Sequence, residues 1–306
     1  MGGQGLTGPN PAAPPYNAGP YFWDQQVTFS QGVSGVNTNK DVWYVDSAGS
    51  SGEGRSWDDA FDTIAAALTA AGDGDYIFIA PGDYEISAAL AVTNDNLTIV
   101  GPNKSCNDYR ALIYSDGAMD LMTVDANQVS IIGLGFSAAG GNGNGIAIAG
   151  TTASYKLYVA NCRFDGWGND GYGILCDDTQ DQPDLVVEDC LFRSWATGSI
   201  YHNATRAVYR RNIIQVDAAA IGINCIPTAG NRPDSWIYDN LILGSNSTDI
   251  GIQIAATEPT DGTLAVFNNT IANCNLNITQ DKSDAGVVNN GTYGDGATFF
   301  QVDPNA

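Results

Sequence analysis

Leu185 to Phe192 reads LVVEDCLF, and the line recurs as AVYRRNII (207–214), SWIYDNLI (235–242), LAVFNNTI (264–271) and AGVVNNGT (285–292). Two looser copies, VSIIGLGF (129–136) and LYVANCRF (157–164), come before it. Counted from last residue to last residue, the copies are 28, 28, 22, 28, 29 and 21 residues apart. A strand-like block repeating every twenty-odd residues predicts a solenoid in which each repeat stacks on its neighbours.

The columns of this alignment predict which side chains point inward. The third residue from the end runs Leu134, Cys162, Cys190, Asn212, Asn240, Asn269, Asn290. In a parallel β-helix these residues sit one above another, about 4.8 Å apart. Asn212, Asn240, Asn269 and Asn290 then form a ladder of amide hydrogen bonds that satisfies polar groups inside the core. A second column, Ile146, Ile174, Ile200, Ile223 and Ile252, is followed two residues on by Ile148, Cys176, His202, Cys225 and Ile254. The period of two puts both columns on the inward face of one strand.

Charge narrows the partners. Against 34 acidic residues stand 12 Lys and Arg, a net charge of -22. With so few basic residues there is no patch to displace phosphate counterions, so nucleic acid is excluded as a partner. No stretch approaches the roughly 20 apolar residues of a membrane helix, so no membrane insertion is expected. The first residues lack the basic start and apolar run of a secretory signal. The six cysteines form no CxxC pair and read as free, inward, small apolar residues; Cys162 and Cys190 stack closely enough for a disulfide to be the alternative.

Three regions are expected. Residues 1–40 hold seven Gly and five of the twelve Pro, with only Asp24 and Lys40 charged. Tyr16, Tyr21, Phe22, Trp23 and Phe29 make this an extended docking arm rather than an ordinary disordered tail. Residues 41–90 read as a cap: the strand DVWYVD, then a helix opening at Ser56 with Trp57, Phe61, Ile64 and Leu68 on its apolar face, then YIFIA and PGDYE. Residues 91–306 are coils, with Phe299, Phe300 and Val302 plugging the far end.

The stretch VWYVD…GRSWDDAFDTIAAAL…GDYIFIAPGDYE (42–85) resembles the N-terminal cap of the pectate-lyase-like right-handed parallel β-helix superfamily. The resemblance implies an all-β, single-stranded, right-handed parallel β-helix with an α-helical cap covering its open end. For function it implies a range: polysaccharide lyases, glycosidases, phage tailspikes and other virion proteins, and adhesins. Polygalacturonase-like members share an NTD segment, paired aspartates, a GHG and an RIK. This chain has Asp177-Asp178 and none of the others. It looks more like a tailspike or virion protein than a clear lyase.

The densest cluster for chemistry is CDDTQDQPD (176–184) followed a coil later by IYHNATR (200–206). Asp177, Asp178, Asp181 and Asp184 have the hard oxygens that calcium takes; no other cofactor is indicated. His202 has the pKa of an acid/base and Arg206 the charge to stabilise an anion, while the column position makes His202 a core residue instead. Trp167 and Trp195 each stand three residues past the end of a block, one coil apart, and can stack on a sugar ring.

The expected function is a structural or attachment component of a virus particle, a head-decoration or tail-spike-like protein. It would be anchored by its arm to capsid or tail proteins in a symmetric assembly and located in the virion. The alternatives are a secreted polysaccharide lyase or glycoside hydrolase working in the groove, and a carbohydrate-binding adhesin.

Overall fold

Alternating inward and outward residues, interrupted every few positions by a corner, wind the chain into three parallel sheets. The computed structural model describes residues 40–293 except 50, 109, 140, 142, 149–155, 170, 178–183, 204–205, 218–219, 226–233, 246–247, 255–263, 281–285 and 289–290. The arm aromatics Tyr16, Tyr21, Phe22, Trp23 and Phe29, the expected plug, and Asn290 lie outside these residues.

Each coil passes through the three sheets in the same order. One full coil is Tyr172–Cys176 in sheet C, Asp184–Glu188 in sheet A and Leu191–Trp195 in sheet B. Sheet A holds ten strands from Val42–Val45 to Gly286–Val288, sheet B nine from Gly82–Glu85, and sheet C eight from Leu90–Val92. Each strand pairs in parallel with the strand one coil before and one coil after it. The result is a right-handed, single-stranded parallel β-helix, the hand that parallel crossovers take.

The corner between sheets A and B has a backbone cause. Gly133, Asn161, Asp189, Arg211, Asp239 and Asn268 all sit there with φ between 54° and 70°, the left-handed region that Gly, Asn and Asp tolerate best. The residue after each is the inward column. Asn212 Nδ2 donates to Asn240 Oδ1 at 3.0 Å, and Asn240 Nδ2 donates to Asn269 Oδ1 at 2.9 Å. Each oxygen also accepts from a corner amide: Cys190 N donates to Asn212 Oδ1, Asn212 N to Asn240 Oδ1 and Asn240 N to Asn269 Oδ1. Where the column is cysteine, the thiol reaches the equivalent carbonyls, Ala160 O from Cys162 and Glu188 O from Cys190. Both cysteines are free.

Apolar stacking completes the core. Phe136, Phe164 and Phe192 lie with ring centroids 4.9 and 4.7 Å apart and planes within 5°. That separation is close to the coil spacing, so identical side chains in register meet as a stack.

The cap departs from the expected helix. Trp57–Asp59 is a single 3-10 turn, and the α-helix begins at Ile64 and runs to Ala70. Its N-cap is Thr63, whose Oγ1 accepts from Ala66 N, while Ser56 makes no side-chain cap. The break occurs because Phe61 is claimed by the first strand: Phe61 N donates to Tyr44 O and Asp46 N to Phe61 O. Trp57 is left on the surface, 42% exposed. Ile64, Ala67 and Leu68 turn inward and cover the end of the coil stack.

Candidate functional site

The residues singled out in the sequence do not converge. His202 is fully buried, its register partners being Cys176 and Cys225. Nδ1 lies 2.6 Å from Tyr209 Oη and Nε2 3.3 Å from Ser235 Oγ. Burial pushes the imidazole down to about 4, so it stays neutral in the interior. Arg206 begins an adjacent sheet A strand and points out, forming a two-bond pair with Asp184 at the surface. Asp177 is exposed and accepts from Asn203 Nδ2. Asp178 and Asp181 lie outside the described residues. Among the described residues no group of three His, Cys, Asp or Glu is placed to hold a metal.

The two tryptophans also part company. Asp165 pairs with Arg193 but Asn169 pairs with Trp195, so the strand Arg163–Asn169 carries two extra residues in a bulge. Trp195 is buried, with its Nε1 on Phe164 O, and takes no part in a sugar-binding surface. Gly166 makes room for it: a Cβ there would sit 2.6 Å from the Trp195 ring. The bulge throws Trp167 outward, 71% exposed with φ 53°. Its Nε1 donates to Ser137 Oγ at 2.9 Å.

Ser137 leads to the more reactive place. It is the register partner of Asp165, so the Trp167 indole is tied down beside that carboxyl. On the outer face of sheet B the row runs Glu85, Tyr114, Ser137, Asp165, Arg193, Gln215. Asp165 Oδ2 accepts from Arg163 Nε at 2.9 Å, and Arg193 Nε stands 3.9 Å from Oδ1. The Asp165 side chain is only 8% exposed. Burial pushes its carboxyl up to about 6, against the pull of Arg193. Among the described residues Arg193 Nε has no hydrogen-bond partner, although the side chain as a whole is 43% exposed. A group titrating near neutrality beside a guanidinium with unused donor capacity can move a proton and steady a developing negative charge.

Around the corner, on sheet A, the charges are consumed by one another. Tyr158 Oη donates to Glu188 Oε1, Arg210 and Arg211 both donate to Glu188 Oε2, and Arg210 reaches on to Tyr238 Oη. Arg211 also holds Asp189 with two bonds. Burial raises Glu188, but the bonds from Tyr158 and Arg210 outweigh it and hold the carboxyl low. Five of the twelve basic residues, Arg163, Arg193, Arg206, Arg210 and Arg211, thus lie on three neighbouring coils, facing Asp165, Asp184, Glu188 and Asp189.

Asp165 had a signal in the sequence that the reading missed. It is the residue just past the aligned block, in the column Ser137, Asp165, Arg193, Gln215. That column reads as an outward polar row once the block's last residue is known to point in.

No protein-family model matches the chain, and no curated protein is similar enough to count as a relative. Solved structures do match. A pectate lyase aligns over 86% of this chain and 78% of its own, with 14% identity and a TM-score of 0.54. A rice weevil pectin methylesterase aligns over 90% and 86%, with 13% identity and a TM-score of 0.51. A mutant pectin methylesterase in complex with a hexasaccharide aligns over 85% and 91%, with 14% identity and a TM-score of 0.50. These similarities are of fold: the chain shares with these proteins the right-handed parallel β-helix.

Proposed function

We propose that this protein acts on a polysaccharide, with Asp165 as the proton-transfer group and Arg193 as the group that steadies negative charge on the sugar. The observation that carries the reading is the Asp165 carboxyl: buried, pushed up to about 6, and flanked by Arg163 and Arg193 on an outward row. Its neighbour Trp167 offers an exposed indole for a sugar ring. The fold shared with a pectate lyase and two pectin methylesterases adds support.

Of the two chemistries available, elimination suits the site better than glycoside hydrolysis. Hydrolysis uses two carboxyl groups facing each other across the glycosidic bond. Here one carboxyl faces two guanidiniums, the makings of a base and a charge stabiliser. In such a step the Asp165 carboxylate takes a proton from the ring carbon beside a sugar carboxylate. Arg193 balances the charge that develops; the C–H electron pair forms the ring double bond, and the glycosidic oxygen leaves with the C–O pair and takes a proton from water.

The virus-particle reading leans on the arm, of which residues 1–39 lie outside the described residues, so the polysaccharide reading is preferred. The test is an assay on acidic polysaccharides, with and without added calcium, following unsaturated products by ultraviolet absorbance and new reducing ends by titration. Products formed by the wild type and lost in Asp165→Asn support the reading. Products undiminished in Asp165→Asn, or none from any acidic polysaccharide, overturn it.

A further inference from the structure

Sheet A changes character along its length. From Lys156–Ala160 onward its outer face carries Lys156, Asp184, Glu188, Arg206 and Arg210. Before that, on the strands Tyr76–Ile79, Thr98–Val100 and Val129–Ile132, it carries no charge at all. Two outward rows cross those strands in register: Tyr76, Thr98, Ser130, and beside it Phe78, Val100, Ile132. The first row is all hydroxyls and continues to Tyr158. The second is apolar across these three strands and follows Tyr44 one strand earlier. In a chain with net charge -22, a face of three strands without one carboxylate is a marked exception.

The cap adds aromatic surface to the same end. Trp57 meets Tyr44 at 4.8 Å between ring centroids, Tyr44 meets Phe78 at 6.1 Å, and Phe78 meets Tyr76 at 6.5 Å. Trp57 and Tyr76 are 42% and 43% exposed. Tyr158, where the charged region begins, has its hydroxyl committed to Glu188. Those of Tyr76, Thr98 and Ser130 make no hydrogen bond to any described residue.

We propose that the outer face of these first strands is a second saccharide-binding surface, one that takes a neutral β-linked glycan chain lying along the helix axis. The hydroxyl row meets sugar hydroxyls, the apolar row meets the C–H faces of the rings, and the Trp57–Tyr44–Phe78–Tyr76 cluster stacks on the chain's end. The rungs recur every 4.8 Å or so, about the length of one β-linked pyranose residue, so successive sugars meet equivalent partners. The absence of charge favours a neutral glycan over the acidic substrate proposed for the Asp165 centre. The surface is on a different sheet and does not depend on that reading.

Binding of the full chain to insoluble xylan and cellulose tests this, with xylohexaose and cellohexaose as soluble competitors. The wild type and Asp165→Asn are expected to be retained equally and released by one competitor. Trp57→Ala and Tyr76→Ala, both at exposed positions, each weaken retention about fivefold to tenfold and leave activity on acidic polysaccharide unchanged. Failure of the wild type to bind either glycan overturns the proposal. So does retention of both variants at the wild-type level, or a change confined to self-association in light scattering, which would make the face a contact between copies.

Discussion

Asp165 and His202 are both displaced by burial toward their neutral forms, the one up to about 6 and the other down to about 4. Their surroundings separate them. His202 faces into the coil stack, its ring nitrogens answered by Tyr209 and Ser235, with no route to a substrate. Asp165 is on the outward row, beside a guanidinium still able to donate and an exposed indole. A shifted pKa therefore marks a reactive group only when the side chain also faces outward; the same shift inside the stack is a cost of packing.

The strongest way to break this contrast is through activity. Asp165→Asn should lower turnover by a factor of about 100 or more with the circular dichroism spectrum unchanged, whereas His202→Leu should leave turnover within about twofold. If the two variants behaved alike, the contrast would be lost. With Asp165 as the base, activity should also fall as pH drops through about 6, and this limb should be absent from the residual activity of Asp165→Asn.

Stability distinguishes the interior next. Asn240 is bonded to the ladder on both sides and to the carbonyls of Tyr209 and Tyr238. Asn240→Ala strands several buried groups and should cost about 3 kcal/mol, read from the denaturant midpoint. A loss below about 1 kcal/mol would mean the ladder is not holding the corner.

The pH dependence of folding then sharpens the pair, because the signs oppose. For His202 the unfolded chain binds more protons between about 4 and 6.5, so stability falls as pH drops through that window, by about 3 kcal/mol in all. For Asp165 the folded chain binds more protons between 3.8 and about 6, so stability falls as pH rises, by a similar amount. Between pH 4 and 6 the two nearly cancel. His202→Leu should expose the Asp165 slope, stability falling toward pH 6, and Asp165→Asn the opposite slope. Parallel curves for the two variants would contradict the assignment.

The smallest expected effect is at Trp167. Trp167→Ala removes a stacking surface and relieves a bulky residue held at positive φ. It should raise KM about threefold to tenfold with little change in kcat and no loss of stability; a fall in kcat alone would point to a role in the chemistry.

Much of the interior could be read in advance, because a repeat aligned on itself also aligns what stacks. The column Cys190, Asn212, Asn240, Asn269 and the column Cys176, His202, Cys225 both emerge from spacing, since a period of two permits one inward assignment once a single member is known. Three features resisted. The cap helix starts at Ile64 rather than Ser56, because the backbone of Phe61 bonds to the first strand and propensity yields to that pairing. Trp167 and Trp195 align by counting, yet a two-residue bulge separates them by the whole thickness of the wall. Asp165 stood in a legible polar column, but its pKa depends on how far the folded structure buries it against the pull of Arg193.

The amino-acid sequence by itself determined the solenoid, its period and its inward columns, because these follow from local geometry repeated at a fixed spacing. The tertiary structure alone decided which charges meet, which tryptophan reaches water, and that the outer face of sheet A is divided into an uncharged and a charged region. Those outcomes depend on contacts between residues some 20 to 30 positions apart, where a bulge or a corner of one or two residues re-aims a side chain without disturbing the repeat.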